Sequence, residues 1–411
     1  MRYKFIDLFA GCGGLAEGFL QSGKFIDIAA VEWEKAPVDT LRHRLKTKWG
    51  VSNSKDRVLQ FDIQREKELF EGWDDSLYGK GLGLDKLVEE SDGIDLIIGG
   101  PPCQAYSIAG RVRDKNGMRD DYRNFLFEHY LNVVKRYNPK VFVFENVPGM
   151  LSANPNGTLI SDEVRKGFNS IGYSIVDDLR EYALLNAADF GVPQNRRRVI
   201  IVGISRHYYS GNIQHLLKKF YTQDLKKYKS KNIITVGDAI GDLEPIKPIF
   251  DDKERGTRKA YVIPESKTTW HRPRYHNLRD MRIYELLAKD IETGENNYTS
   301  AEALTDLYHR EVGSKSPIHR YKVLRSDEPS TTIIAHLYKD GNRFIHYDSS
   351  QARSITPREA ARLQSFPDDF DFIGTQTSVF QMIGNAVPPE LARRLAMAVA
   401  SLLTKIEERE E

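Results

Sequence analysis

Short apolar strands alternate with helical segments through the first 205 residues, and this alternation constrains the fold more than any other feature. "KFIDLF" reads as a buried strand, "GLAEGFLQSG" as a helix, and "FIDIAAVEWE" as a second strand ending in acid. "APVDTLRHRLK" is a further helix, followed by the short strand "RVLQFDI". After a polar insertion at 64–93 come the strand "IDLIIGG", the helix "NFLFEHYLNVVKRY" and the strands "VFVFENV" and "RVIIVGI". Such an order predicts an α/β fold, a Rossmann-like and mostly parallel sheet with helices on both faces. Ligands of these sheets bind beyond the carboxyl ends of the strands. The motifs that follow fall at such ends.

Periodicity is less regular from 206 to 345, where basic clusters such as "KKFYTQDLKKYKSK" and "HRPRYHNLRD" replace it. The helical pattern returns in "TPREAARLQSF" and "PPELARRLAMAVASLLTKIEE", whose prolines stand in the first turn, where they are tolerated. The expected organisation is a first part at 1–205, a smaller domain at 206–345, and a return to the first domain at 346–411. The net charge of +2 hides an asymmetry. Between Arg206 and Arg343 there are 25 Lys and Arg against 19 Asp and Glu, whereas the remainder carries 35 against 39. A basic insert between acidic flanks points to a polyanionic partner. A solvated basic face is the plainer alternative.

Other classes are excluded by what the chain lacks. Two cysteines cannot form a disulfide framework, and no Cys/His set has zinc spacing, so no metal is expected. No run of about 18 apolar residues exists to span a membrane. The start "MRYKFIDLFAGCGG" has no secretory pattern, and a cytoplasmic location is expected.

"DLFAGCGGLAEG" places a glycine turn between a strand and a helix, and Gly11 to Ala16 satisfy the G-x-G-x-x-G/A pattern. That suits a nucleotide-type cofactor, or simply a tight turn. Glu32 ends the second strand, where an acid accepts hydrogen bonds from ribose hydroxyls. Trp33 offers a flat apolar face to an adenine ring, and Asp62 an acceptor for its amino group. These residues alone leave NAD and S-adenosylmethionine undecided.

In "IDLIIGGPPCQAYSIAG", Pro101 and Pro102 fix their φ angles and lack N–H groups, while Gly99 and Gly100 allow a sharp turn before them. The stiff loop holds Cys103 either as a nucleophile or as a small buried hydrophobe. Arg111 or Arg113 nearby favours its thiolate. Glu145 follows the apolar strand "VFVFENV", and partial burial favours a protonated, hydrogen-bond-donating carboxyl. Alternation in "QNRRRVIIVG" turns Arg196 and Arg198 to one face and Arg197 to the other. Two guanidiniums together suit a phosphate or carbonyl, or a basic surface.

Taken in order, "DLFAGCGG", "VEWE", "FDI", "GGPPCQAYSIAG", "ENVPGML", "QNRRRVIIVG", "TPREAARLQSFPDDF" and "GNAVPP" resemble the cytosine-C5 DNA methyltransferases. The likeness covers nearly the whole catalytic framework, whereas about 206–340 matches no motif. It implies that Cys103 adds to C6 of a flipped-out cytosine and that Glu145 bonds the N3 edge. Arg196 and Arg198 would hold the base O2 and an adjacent phosphate. It also implies S-adenosylmethionine as cofactor, with S-adenosylhomocysteine as product and no metal. Phe9, Gly11, Gly14, Glu32, Trp33, Asp62, Ile63, Gly100, Pro102, Leu126, Asn385 and Val387 match positions that line its pocket. Gln104 and Ser107 fall on the loop that closes on DNA. The smaller domain becomes a target-recognition domain, with Arg272, Arg274 and His276 as base-reading candidates. Arg358 and Glu359 are expected to be structural, and Cys12 not to take part in the chemistry. Double-stranded DNA is the implied partner of a cytoplasmic, nucleoid-associated monomer, with room for a cognate restriction endonuclease acting separately. A tRNA cytosine methyltransferase, a non-catalytic DNA-binding relative and a dinucleotide oxidoreductase are the rival readings. Ser107 speaks for DNA, since tRNA enzymes of this framework have Thr there.

Overall fold

The structure is a computed structural model and describes residues 2–102, 126–154, 157–251, 259–265, 268–313 and 321–408. The chain divides into two compact units. The larger takes the residues up to Gly191, Arg196–Lys231 and those from Ala386 onward, and the smaller takes Val192–Asn195 and Asn232–Asn385.

The larger unit is built on a sheet of β1 (Tyr3–Leu8), β2 (Phe25–Glu32), β3 (Val58–Gln60), β4 (Leu96–Gly99), β5 (Val141–Asn146), β6 (Tyr173–Ile175), β7 (Leu184–Asn186) and β8 (Arg197–Ser205). The strand order is β3-β2-β1-β4-β5-β8-β6, with β7 also paired to β8. β1 to β5 pair in parallel, and β8 runs antiparallel to β5, β6 and β7. Four helices matter to its layers: α1 (Gly14–Gln21), α2 (Lys35–Thr47), α3 (Leu126–Tyr137) and α4 (Ile160–Ser170).

Register shows which helix covers which face, because partners across a parallel pair project to the same side. Ile6, Ile97 and Phe142 are partners, as are Phe5, Leu96 and Val141 on the opposite side. Phe142 stacks on Phe168 of α4 at 3.9 Å, and Tyr130 of α3 meets Phe144 edge-on at 5.2 Å. On the other side Phe5 lies 5.8 Å from Phe19 of α1. Helices therefore cover both faces, as the alternation predicts. A buried ion pair fixes α2 to α1: Arg44 donates to both Glu17 oxygens at 3.0 and 2.7 Å.

The smaller unit contains α5 (Leu278–Glu292), α6 (Ala301–Val312), α7 (Pro357–Leu363) and α8 (Gln376–Asn385). α5 and α6 pack around Ile283, Tyr284, Leu287, Leu304, Leu307 and Ile345. Thr356 caps α7 in a reciprocal box with Glu359, with Pro357 in the first turn. Arg353 grips Glu359 through two bonds of 2.7 and 2.6 Å, all within the interior. Arg358 spends its guanidinium on Thr269, Pro367 and Phe370, a wholly internal set of acceptors.

The chain then returns to the larger unit through α9 (Pro389–Glu407), which crosses α1 at Gly18. A Cβ at Gly18 would lie 2.4 Å from the Ala392 Cβ and 2.4 Å from the Pro389 carbonyl, so only glycine permits the crossing. The unit bounds differ from the sequence boundaries at 205/206 and 345/346. Residues 206–231 stay with the sheet because Tyr221 both accepts from the Val202 N–H and donates to the Ile200 carbonyl, each at 2.9 Å. Residues 346–385 belong to the smaller unit, where the Arg353–Glu359 pair is buried.

Candidate active site

The turn after β1 is shaped by backbone geometry and closed by one carboxylate. Phe9 has φ 58 and Gly11 φ 55, so the chain leaves the strand through left-handed conformations. Glu32, at the end of β2, accepts from the Gly11 N–H at 2.9 Å through one oxygen. Its other oxygen accepts from the Trp33 and Glu34 N–H groups at 2.8 and 2.9 Å. Burial nevertheless holds this carboxyl above its ordinary range, against those three donors. Gly14 opens α1 behind the turn. Cys12 is buried and its thiol is pushed up to about 12 by desolvation, which leaves it inert at neutral pH.

Beside this turn the surface suits a nucleotide. Trp33 is 52% exposed, and a Cβ built on Gly11 meets nothing within 4 Å. After β3, Asp62 is oriented by the Gln64 N–H, 3.0 Å from Oδ1, and Ile63 is buried next to it. An exposed indole, open space at a glycine and two strand-end carboxylates fit an adenosine-bearing cofactor. Leu126 is buried at the start of α3, and Val387 is buried just before α9. Asn385 is exposed at the end of α8, on the smaller unit's side of the chain division.

A second cluster of candidate residues lies at the ends of β4, β5 and β8. Glu145 and Arg198 are partners there, with the Arg198 Nε 2.9 Å from a Glu145 oxygen. The pairing follows from register: Ile200 stands opposite Glu145, so alternation sends Arg198 to the same face. Burial works against the Arg198 charge, and Glu145 supports it. Gly99 and Gly100 do not occupy left-handed backbone. The requirement at Gly100 is room, because a Cβ there would lie 2.7 Å from a Glu145 oxygen. Pro101 is buried and Pro102 exposed. Cys103, Gln104, Ser107, Arg111 and Arg113 lie outside the described residues.

Three expected contact residues are placed differently from the sequence reading. Arg196 is 1% exposed and donates to the Ala386 carbonyl at 3.0 Å, so it ties "QNRRR" to "GNAVPP". No pattern in the sequence signalled that bond, because its acceptor is a backbone carbonyl 190 residues away. His276 is buried, bonds the Ser354 hydroxyl at 3.0 Å, and is lowered to about 3 by desolvation and by the charges of Arg274 and Arg353. Arg274 donates to the carbonyls of Leu337 and Tyr338. These two side chains are engaged within their unit and do not suit base-edge contacts. Arg272 is exposed, as is its neighbour Tyr275. Both ring nitrogens of His271 are engaged, by Thr356 and by the Glu244 carbonyl.

The family profile described as C-5 cytosine-specific DNA methylase matches residues 3–401. The type II methyltransferase M.Bpa9945I of Bacillus paralicheniformis is 32% identical, over 97% of this chain and 98% of its own. M.XorII, a type II methyltransferase of Xanthomonas oryzae, is 33% identical over 97% of this chain and 85% of its own. Among solved structures, an E. coli prophage protein described as a DNA modification methyltransferase superposes with TM-score 0.60 at 23% identity, covering 98% of this chain and 99% of its own. The S. pombe Dnmt2 methyltransferase gives 0.55 at 15% identity, covering 98% and 99%. These two structures bear on the fold alone. Among the described residues, no helix is long and apolar enough to cross a membrane.

Proposed function

The chain belongs to the C-5 cytosine-specific DNA methylase family and methylates cytosine at C5 in DNA, and from that premise we propose how its residues divide the work. Cytosine C5 is too weak a nucleophile to take a methyl group directly. Cys103 adds as thiolate to C6, and the electron pair displaced from the C5–C6 bond makes C5 nucleophilic. Glu145 bonds the N3 edge and so stabilises the charge that develops there. S-adenosylmethionine, when bound, would supply an electrophilic methyl group to C5 and leave as S-adenosylhomocysteine as its S–methyl bond breaks. Loss of the C5 proton then restores the double bond and expels the Cys103 thiolate. The target base lies within a duplex and must be flipped into the site.

Arg198 takes the base O2, because its guanidinium already lies against the carboxylate that meets N3. Arg196 holds the returning "GNAVPP" segment in place. Glu32, Trp33, Asp62, Ile63, Gly100, Pro102, Leu126 and Val387 line the cofactor pocket together with Phe9, Gly11 and Gly14. The smaller unit selects the target sequence, with Arg272 at its exposed surface, while Gln104 and Ser107 close on the DNA. The chain acts as a monomer and as the modification half of a restriction-modification pair, its endonuclease acting separately.

The observation that carries this reading is the Glu145–Arg198 pair at adjacent strand ends, against the glycine that leads through two prolines to Cys103. The test is methyl transfer to duplex DNA, with tRNA as the competing substrate and bisulfite sequencing as the readout. Cys103→Ala should abolish transfer and keep cofactor binding, and the wild type should be trapped covalently on duplex DNA containing 5-fluorocytosine. Ordinary turnover by Cys103→Ala would sink the mechanism.

A further inference from the structure

Residues 64–93 match none of the family motifs, yet they are built into the larger unit at both ends. Phe61, at the β3 end, stacks on Trp73 at 4.0 Å and lies 5.0 Å from Tyr78, both in the insertion. The Arg65 guanidinium lies 4.8 Å from the Phe61 ring centre and bonds Asp75 at 2.7 Å. Gln64, the first residue of the insertion, fixes Asp62 through its N–H. The far side of the insertion grips α3. Asp85 accepts from Arg136 at 2.8 and 2.5 Å and from Tyr137 at 2.8 Å. Glu66 bonds both His129 and Asn132, at 2.5 and 2.8 Å.

Asp62 and Ile63 follow β3, and Leu126 begins α3. We propose that residues 64–93 are a brace which holds these two walls of the cofactor pocket at a fixed spacing, with Glu66 and Asp85 as positioning residues that set cofactor affinity. The inference rests on the assignment of Asp62 and Leu126 to the cofactor pocket. Its physical basis is that binding weakens when the protein must order its own site as it closes on a ligand. Two anchors on one helix, a turn or more apart, fix the helix rotation as well as its distance.

The test is calorimetric binding of S-adenosylhomocysteine to the full chain without DNA, alongside thermal melting and steady-state kinetics. Glu66→Gln with Asp85→Asn should weaken binding about three- to tenfold, since each anchor is a partly exposed charged contact. KM for the methyl donor should rise in step, with kcat at saturation unchanged within about twofold. Asp85→Arg with Arg136→Asp, which reverses one anchor, should recover most of the affinity lost in Asp85→Arg alone; it also serves if the first pair folds poorly. A lower melting temperature with unchanged affinity would overturn the brace. Asp62→Ala is the control for the pocket itself. If it leaves affinity intact, the pocket assignment fails; if it weakens binding while the anchor variants do not, the brace alone fails.

Discussion

The Arg198 guanidinium lies against the Glu145 carboxylate at 2.9 Å, and that contact joins two antiparallel strands at the end where the reacting motifs converge. Its consequence is that neither residue acts independently. Glu145→Gln and Arg198→Ala are each expected to lower kcat about 100-fold or more, the scale of losing a preorganised donor. The double variant should lose little beyond the worse single one, because coupled residues are not additive. Single-turnover methylation of duplex DNA measures this, and independent losses that multiply would contradict the pairing.

Gly100→Ala tests the space that the carboxylate needs. The added methyl would stand 2.7 Å from Glu145 and must displace it. Turnover should fall about 10- to 100-fold, in keeping with the cost of a misplaced catalytic group. Thermal melting should change little, since the carboxylate side chain can swing away. Full activity in Gly100→Ala would show that Glu145 does not need its observed position.

Arg272 and its internally bonded neighbours should separate cleanly. Arg272→Ala is expected to relax the target at one position, costing about 1–3 kcal/mol of discrimination. His276→Ala and Arg274→Ala should leave the target unchanged and destabilise the fold by about 1–3 kcal/mol, the cost of leaving buried hydrogen-bond partners unmet. Bisulfite sequencing and chemical denaturation on the same three variants distinguish the two outcomes.

Asp27 makes the larger unit lose stability as pH rises from about 4 to about 7. Its carboxyl is 2% exposed, neither oxygen has a hydrogen-bond partner, and desolvation raises it to about 7 despite the Arg57 charge. The unfolded chain releases this proton near the ordinary value of 3.8. Its contribution is thus most favourable below that value and declines as pH rises to about 7, by roughly 1.4 kcal/mol per pH unit. Asp27→Asn should stabilise the protein at pH 8 and do little at pH 4. His276 and His346, lowered to about 3 and about 4 by burial first, act in the opposite direction in the smaller unit. Their contribution is complete above about 6.5 and is lost as pH falls towards those values. Denaturant titrations across pH 4 to 8 measure both slopes.

Much of the larger unit was legible because its signals are local. Strand and helix periods and the glycine turn each depend on a few consecutive residues. What was not legible depends on distant partners. The role of Arg196 depends on the Ala386 carbonyl, and that of Gly100 on the Glu145 side chain. In "HRPRYHNLRD" the sequence offers Arg272, Arg274 and His276 alike as base-reading candidates. Burial against Ser354, Leu337 and Tyr338 divides them, and no periodicity in that stretch announces which side chains turn inward. The bounds of the two compact units depend likewise on packing, since Tyr221 bonds Val202 and Ile200 of the sheet.

The crossing of α1 and α9 at Gly18 has a consequence for the order of folding during synthesis. Tyr3 bonds Thr404, 401 residues later, so the first strand cannot complete its packing until nearly the whole chain has left the ribosome. At about 5–20 residues per second, that delay is tens of seconds. The smaller unit is continuous from Asn232 to Asn385 apart from the segment Val192–Asn195, and its last residue emerges before α9 does. The nascent sheet is already covered by α1 through Phe19 on Phe5, but the outer side of α1 at Gly18 waits for Pro389 and Ala392 of α9 until the later unit has been made.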